Sequence, residues 1–323
     1  MANETTATGT ATDRIRENIQ KVLIGQDRTI DLVLTCLVAG GHVLLEDVPG
    51  TGKTVLAKSL ARSIDVDFSR IQFTPDLLPS DVTGIYFFHQ EKHSFEFRRG
   101  PIFCNILLGD EINRATPRTQ SALLECMEER QVTIDGNTHE LATPFFVIAT
   151  ENPIETAGTF PLPEAQLDRF MMKLSMGSAS RENEIAIMDR FMSRQPLTEL
   201  LPVANAKDIC QMQDSYQNVF VHPLLKEYIA DIVCETRKHQ SVLCGVSTRG
   251  TLAFLKAVRA YAMIQGRDYV IPEDIKTLAE PVLAHRIVTN RGFGSDSTTS
   301  SRNVLNEILH SKVVLTTEDW SKR

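Results

Sequence analysis

Two glycines, a lysine and a threonine follow a short apolar run near residue 50. The run spans residues 43–45, and residues 46–54 then read Glu-Asp-Val-Pro-Gly-Thr-Gly-Lys-Thr. Leu56, Ala57 and Leu60 repeat at helical spacing, so the segment lies between a predicted strand and a predicted helix. In such a loop, backbone N–H groups and the helix N-terminus bind phosphate. The pattern therefore predicts a phosphate-binding loop.

The last residues of this loop predict how a nucleotide would be bound. We expect Lys53 to reach the β and γ phosphates and the Thr54 hydroxyl to bind Mg²⁺. Asp47 occupies the position where the usual loop has its first glycine, so we expect the tight turn at Pro49-Gly50. The residues expected to contact the nucleotide here are Pro49, Gly50, Thr51, Gly52, Lys53, Thr54 and Val55.

Two adjacent acids end a second apolar run, Ile-Leu-Leu-Gly-Asp-Glu over residues 106–111. An acid at the carboxyl end of a buried central strand can reach a metal ion beside the phosphates, and the next residue can face the attacking water. We therefore expect Asp110 to bind Mg²⁺ and Glu111 to polarise water. Two acids at a strand end are common by chance, and it is their position after a phosphate loop that favours this interpretation.

A third apolar run, from Phe145 to Thr150, ends in Glu151-Asn152-Pro153. Asn152 alone is typical of a turn. After a central strand of the same unit, however, its side chain would lie beside the γ-phosphate, because ligands bind at the carboxyl ends of parallel strands.

Two segments of the same region predict hairpins. Residues 131–141 contain an Asp-Gly turn between two strand-like runs, a strong hairpin signal. Residues 84–97 are rich in aromatic side chains and also predict a hairpin insertion. The latter is either a plain surface hairpin or an element that projects into a pore or onto a partner.

The chain changes character after Arg181, where only helical periodicity follows. Ser247 is expected to cap one of these helices and to place Arg249 in its first turn, where a cation is poorly matched to the helix dipole and indicates a nearby anion. The predicted organisation is a disordered leader (1–12), an α/β nucleotide-binding core (13–178), an all-helical domain (179–290) and a C-terminal tail (291–323).

The composition limits the possible partners and compartment. A formal net charge of −7 argues against nucleic-acid binding, and no apolar run is long enough to cross a bilayer. The six cysteines are scattered without a Cys-x-x-Cys pair, which is typical of reduced residues in a core. We therefore expect a cytoplasmic protein that does not insert into a membrane.

Five sequence blocks together resemble the MoxR family of AAA+ ATPases. The resemblance covers roughly residues 13–290 and implies an αβα core with a five-stranded parallel sheet, followed by a helical lid. It also implies ATP in the cleft between them and a homo-oligomeric ring, usually hexameric. The blocks are Glu-Asp-Val-Pro-Gly-Thr-Gly-Lys-Thr (46–54), Gly-Asp-Glu-Ile-Asn-Arg-Ala (109–115), Ala-Thr-Glu-Asn-Pro (149–153), Leu-Pro-Glu-Ala-Gln-Leu-Asp-Arg-Phe (162–170) and Gly-Val-Ser-Thr-Arg (245–249).

The same resemblance implies roles for individual residues. Asn152 would be the sensor that positions the lytic water, and Arg249 would be the sensor arginine of the lid. Arg169, which by itself would be a surface ion-pair residue, would be the arginine finger that acts on the neighbouring subunit's nucleotide. Ile24 and Gly25 would lie against the adenine, and the two hairpins would face the central channel.

The lid block departs from the more frequent Ser-Pro-Arg-Ala form. Here Thr248-Arg249-Gly250 keeps the cation but puts glycine inside a helix, at a cost of roughly 1 kcal/mol relative to alanine.

The function implied by the resemblance is Mg²⁺-dependent ATP hydrolysis by a ring, coupled to remodelling of a client protein or to insertion of its metal cofactor. A partner with a von Willebrand factor A (VWA) domain is expected. One alternative is a nucleic-acid-stimulated AAA+ motor, which the acidic charge disfavours. Another is a non-hydrolysing module that uses ATP only to gate partner binding, which Lys53, Asp110 and Glu111 argue against.

Overall fold

The computed structural model describes residues 4–153, 158–193, 196–290 and 295–311. The chain divides into two compact units, with the boundary between Asp214 and Ser215. The boundary predicted at residue 179 lies earlier than this division.

A five-stranded parallel sheet forms the centre of the first unit, as predicted. Its strands lie in the order β2-β5-β8-β1-β9, so β1 and β8 are neighbours and β2 is an edge strand. The inner strands are almost entirely buried, which explains why they appear in the sequence as continuous apolar runs. The strands of this sheet are β1 (Val43–Glu46), β2 (Phe68–Gln72), β5 (Ile106–Asp110), β8 (Phe146–Glu151) and β9 (Met172–Leu174).

The two predicted hairpins are present in the first unit. The first pairs β3 (Gly84–His89) with β4 (Ser94–Arg99), and the second pairs β6 (Gln131–Ile134) with β7 (Asn137–Glu140). His139 of the second hairpin stacks on Phe97 of the first, with ring centroids 4.2 Å apart. The two insertions are therefore in direct contact with each other.

Helices flank the central sheet. Helix α3 follows β1 and buries Leu56, Ala57 and Leu60, the residues whose spacing predicted it. The helices of the first unit are α1 (Glu4–Gln20), α2 (Asp27–Val38), α3 (Lys53–Ile64), α4 (Pro79–Thr83), α5 (Pro117–Glu129), α6 (Glu164–Leu167), α7 (Arg181–Ser193), α8 (Pro196–Glu199) and α9 (Ala206–Ser215, which ends at the boundary).

The predicted disordered leader differs from the structure. Helix α1 begins at Glu4, and Ala11 and Thr12 are buried. Helix α1 as a whole packs against α2 and α3.

The second unit is mostly helical. The predicted all-helical domain is corrected in one respect, because a small antiparallel sheet joins β10 (Val242–Cys244) to β11 (Val288–Thr289). The helices are α10 (Pro223–Lys238), α11 (Thr248–Ile264), α12 (Pro272–Leu283) and α13 (Ser295–Ser311).

The C-terminal region also differs from prediction. Residues 295–311, expected to belong to the C-terminal tail, form helix α13, whose Val304, Leu305 and Ile308 are buried. Residues 291–294 and 312–323 of the predicted tail lie outside the described residues.

No helix in the described part of the chain combines the length and the apolarity needed to span a membrane.

All six cysteines are free thiols. Cys234 and Cys244 are exposed, so the expectation that all six are core residues is wrong for these two.

Candidate active site

The phosphate-loop segment connects β1 to α3. Gly50 and Gly52 have φ values of 90° and 95°, a region that glycine adopts without strain. The turn predicted at Pro49-Gly50 therefore coincides with a backbone conformation that favours glycine. Pro49 and Gly50 are exposed, and Thr54 and Val55 lie partly buried in the first turn of α3, so a ligand can reach the loop.

Lys53 is the first residue of α3, and its side chain is buried. Its Nζ donates hydrogen bonds to the backbone oxygens of Asp47, at 2.7 Å, and Val48, at 3.3 Å. Burial lowers the pKa of Lys53, and the carboxylates of Asp47, Asp110 and Glu111 oppose this by favouring the charged form. The structure therefore brings the loop lysine close to the acids that end β5.

Asp110 ends β5 with both carboxylate oxygens hydrogen-bonded. Thr150 Oγ1, at the end of the adjacent strand β8, donates to Oδ1 at 2.7 Å. Arg70 Nη2, on the edge strand β2, lies 2.7 Å from Oδ2. The carboxylate is thus held by one neighbouring strand on each side.

Glu111 is held by a strained backbone and by two donors. Its φ of 57° lies in the left-handed region, which is uncommon for a residue with a side chain and often occurs at functional sites. Its N–H donates to Thr150 Oγ1 at 2.9 Å. Gln72 Nε2 and Arg114 Nη1 lie 2.8 Å and 3.0 Å from Glu111 Oε2. The carboxylate is therefore fixed in one orientation.

Asn152 follows β8 and is buried, which agrees with its expected place at the strand tip. Its backbone oxygen accepts a hydrogen bond from Asn113 Nδ2 at 3.4 Å. Sequence reasoning assigned no chemistry to Asn113, and the structure shows that it contacts the Asn152 backbone.

The side-chain chemistry of Thr54 and Asp110 fits Mg²⁺. The Thr54 hydroxyl and the Asp110 carboxylate are hard oxygen ligands of the kind that Mg²⁺ prefers, and Mg²⁺ is commonly bound by one or two such protein groups together with substrate phosphates. These two residues would hold the ion next to the phosphates bound by the loop.

Comparisons with known proteins identify the family of this chain. The family model described as "ATPase family associated with various cellular activities (AAA)" matches residues 42–172, and the model of the AAA lid domain matches residues 234–308. Chaperone MoxR1 of Mycobacterium tuberculosis is 41% identical over 90% of this chain and 79% of its own length. The chain belongs to the MoxR family of AAA+ ATPases.

Two other relatives also match most of this MoxR-family chain. The uncharacterized protein YeaC of Bacillus subtilis is 53% identical over 84% of this chain and 85% of its own. The crystal structure of a candidate ATPase from Cytophaga hutchinsonii superposes with a TM-score of 0.88 at 38% identity and covers 97% of each chain. The fold and the ATP hydrolase activity of the family therefore apply to this chain.

Arg169 lies beside α5 in this MoxR-family protein. Its Nε is 3.4 Å from Glu128 Oε2, and it lines a cavity of about 460 Å³. The other residues lining this cavity come from α5, α6 and β6. Its surroundings are therefore distinct from those of Lys53 and Asp110.

The segment Ile24-Gly25 lies between α1 and α2. Gly25 has a φ of 71°, and the Asn183 side chain of α7 lies where a Cβ on Gly25 would be, at 2.0 Å. The left-handed backbone conformation favours glycine at this position, and a side chain here would also displace the Asn183 amide. Gln26 next to it donates from Nε2 to the Met176 oxygen at 2.9 Å.

Arg249 lies in the second unit, exposed in the first turn of α11. Ser247 caps this helix as predicted, because its Oγ accepts a hydrogen bond from Gly250 N at 3.1 Å. A Cβ at Gly250 would lie 2.7 Å from Val246 Cγ1 and 2.8 Å from Arg286 Cδ. Close packing therefore explains the glycine that departs from the more frequent alanine.

Sequence reasoning missed three side chains of the site. Arg70 and Gln72 occupy alternate positions of β2, so both point toward the acids of β5, and Thr150 lies one strand away on the other side. The alternation was visible in the sequence, but the pairing of β2 with β5 was needed to assign the contacts.

Proposed function

We propose that this chain hydrolyses ATP with Mg²⁺ at the end of the central sheet and uses the resulting conformational change to remodel a client protein. The observation that carries the proposal is the convergence of Lys53, Asp110 and Glu111. A buried lysine, a metal-binding carboxylate and a second, fixed carboxylate form the residue set that phosphoryl transfer to water requires.

Each residue of the site has a role in this proposal. The N–H groups of residues 50–55 and Lys53 bind the phosphates. Thr54 and Asp110 would hold Mg²⁺, which would neutralise the charge that develops on the phosphates. Glu111 polarises the attacking water, and Asn152 orients that water from the neighbouring strand tip. Ile24 and Gly25 lie against the adenine.

Two arginines complete the proposed mechanism. Arg169, whose guanidinium Nε lies 3.4 Å from Glu128 Oε2 of α5, is the finger supplied to the nucleotide of a neighbouring subunit. Arginine fingers contribute about 10³ to 10⁵ in rate. Arg249, in the first turn of α11, senses the nucleotide from the lid. The proposal therefore requires a ring of identical subunits, and we propose a hexamer.

The cellular task is proposed by analogy with the relatives. The Mycobacterium tuberculosis relative is named a chaperone, which supports remodelling of a client protein. The client step is either a change of conformation or insertion of a metal cofactor, and a VWA-domain protein is the proposed partner. The free thiols of all six cysteines support a reducing compartment, and we propose the cytoplasm.

A pair of variants tests the catalytic assignment. Glu111→Gln is expected to bind ATP with unchanged affinity and to lose at least 100-fold in phosphate release, because the water is no longer polarised. Lys53→Ala is expected to lose ATP binding itself. Glu227→Gln on the exposed surface of α10 is the matched control. Turnover by Glu111→Gln at the wild-type rate would contradict the proposal.

A further inference from the structure

Asp47 is the residue of the phosphate loop that the general motif does not explain. It stands where the usual loop has glycine, and its side chain is buried. Its Oδ1 accepts hydrogen bonds from Ser175 Oγ at 2.7 Å and Gly177 N at 3.2 Å. Its Oδ2 accepts one from Met176 N at 2.6 Å. We call this carboxylate and its three donors the Asp47 clasp.

The Asp47 clasp joins the phosphate loop to the segment that leaves the last strand of the sheet. A buried carboxylate is costly unless donors satisfy it, and hydrogen bonds to a charged acceptor are about twice as strong as neutral ones. Glycine at this position would remove all three bonds and leave the N–H groups of Met176 and Gly177 without this acceptor. Asp47 therefore makes three hydrogen bonds that the usual glycine could not make.

The backbone of Asp47 is fixed as well as its side chain. Its N–H donates to the Glu151 oxygen of β8 at 3.2 Å, and its oxygen accepts from Lys53 Nζ at 2.7 Å. The first residue of the loop is thus tied to β8, to the loop lysine and to the segment Ser175–Gly177.

The segment held by the clasp also lies against other parts of the site. The Met176 oxygen accepts from Gln26 Nε2 at 2.9 Å, next to the expected adenine position. A Cβ built on Gly52 would lie 3.3 Å from Leu23 Cδ1 and 3.8 Å from Met176 Cε. Met176 therefore contacts Asp47 of the phosphate loop through its N–H and Gln26, which follows Ile24-Gly25, through its oxygen.

We propose that Asp47 is a positioning residue for nucleotide binding, whose carboxylate binds Ser175–Gly177 and so fixes the phosphate loop in its ligand-accepting shape. The proposal rests on ATP binding at this loop, as argued above. A loop fixed before binding avoids the entropy cost of ordering it with the ligand. The clasp acts on the loop and leaves Glu111 and Arg169 in place, so it affects affinity more than the chemical step.

Three variants test the clasp in the full-length protein. Asp47→Gly restores the general motif, Asp47→Asn keeps the shape but places an N–H₂ group toward the donors, and Ser175→Ala removes one bond. We expect both Asp47 variants to raise the Kd for ATP and the KM about tenfold, with kcat changed less than about threefold. Ser175→Ala is expected to raise both about threefold.

A structural readout accompanies the kinetics. Hydrogen exchange at the amides of Met176 and Gly177 is expected to accelerate at least tenfold in Asp47→Gly, with the amides of β1 and β8 unchanged. Asp208→Asn is the matched control, because Asp208 Oδ2 also accepts a backbone N–H, from Asn205 at 2.9 Å, outside the site. This control is expected to leave ATP affinity unchanged.

The outcomes distinguish a failure of the clasp proposal from a failure of the proposed ATP-binding function. Asp47→Gly that binds ATP as tightly as the wild type, with unchanged exchange at residues 176–177, would overturn the clasp. Where the Asp47 variants do not fold, Ser175→Ala decides, and wild-type ATP affinity in that variant would also overturn it. Lys53→Ala tests the site independently, because retained ATP binding there contradicts the proposed function.

Discussion

Arg70 Nη2 lies 2.7 Å from Asp110 Oδ2, so the carboxylate proposed to bind Mg²⁺ already has a cationic partner on the edge strand. The other oxygen of the same carboxylate accepts from Thr150. A metal ion bound by Asp110 would therefore share the carboxylate with the guanidinium group of Arg70.

Removing Arg70 should strengthen metal binding. For Arg70→Ala we expect about fivefold tighter Mn²⁺ binding to the ADP-bound protein, since a unit charge at this distance near solvent is worth roughly 1 kcal/mol. Paramagnetic resonance titration with Mn²⁺ measures this directly. Arg114→Ala, which removes a cation bound to Glu111, controls for general charge effects and should change Mn²⁺ affinity less. Weaker metal binding in Arg70→Ala would show that Arg70 supports the site.

His42 should make the fold sensitive to acid. Val147 N donates to its Nδ1 at 3.0 Å, so the neutral ring carries its proton on Nε2, which lies 3.0 Å from the Met127 oxygen. Burial, with a further contribution from the Arg130 charge, lowers the pKa of His42 to about 3. In the unfolded chain His42 takes up a proton near pH 6.5, whereas in the folded chain His42 stays neutral down to about pH 3.

The contribution of neutral His42 to the free energy of unfolding is therefore fully present above pH 6.5 and is lost as the pH falls toward 3. The slope from this residue is up to about 1.4 kcal/mol per pH unit. His42→Gln should be less stable at pH 8 but should lose this part of the pH dependence in urea unfolding between pH 7 and 5. His310→Gln, exposed on α13, is the control. An unchanged slope in His42→Gln would rule out this residue as the source.

Glu151 should give the stability of the fold the opposite dependence on pH. It pairs in register with Glu46 on β1, and Lys173 forms an ion pair with Glu46 at 2.8 Å. Burial raises the pKa of Glu151 to about 7, the Lys173 charge opposes this, and the Glu46 charge adds to it. The folded chain therefore holds a proton between about pH 4.5 and 7 that the unfolded chain has released, and stability falls as the pH rises through this window.

Replacing Glu151 removes that loss. Glu151→Gln should gain about 1–2 kcal/mol relative to wild type at pH 8 and little at pH 5, measured as the difference in unfolding free energy. Glu227→Gln is the exposed control. Equal differences at both pH values would mean that ionisation of Glu151 does not limit stability.

Gly250→Ala should destabilise the second unit despite the better helix propensity of alanine. The added Cβ would collide with Val246 and the buried Arg286, and we expect a net loss of about 1–2 kcal/mol after a propensity gain of about 1 kcal/mol. Thermal unfolding measures the change. Lys256→Ala on the exposed face of α11 should be neutral or stabilising. A stabilised Gly250→Ala would show that the site relaxes freely.

The sequence predicted the elements whose signals are local. The phosphate loop, both hairpins and all five core strands follow from residue order alone, because each apolar run or turn motif specifies its own element. The predicted disordered leader differs from the structure, because helix α1 begins at Glu4 and buries Ala11 and Thr12, which an Ala- and Thr-rich segment does not reveal. Helix α13 was missed in a segment rich in Ser and Thr for the same reason.

The contacts within the site depended on strand order. Arg70 and Gln72 reach the acids of β5 only because β2 is the strand beside it, and this pairing has no signature in either run. Asp47 was visible as a departure from the loop motif. Its role became apparent only when residues 175–177, distant in sequence, were placed against it.

ATP hydrolysis per subunit, measured over a range of protein concentrations with Mg²⁺, tests the central claim most directly when Arg169→Ala is mixed into the wild type. If a neighbouring subunit completes each active site, specific activity should rise with protein concentration. In mixtures with the mutant, activity should fall more steeply than the fraction of wild-type subunits falls. Sizing at the lowest concentration distinguishes a stable ring from a monomer. A monomer with full activity that is indifferent to the added mutant would contradict the finger role of Arg169 and the ring mechanism.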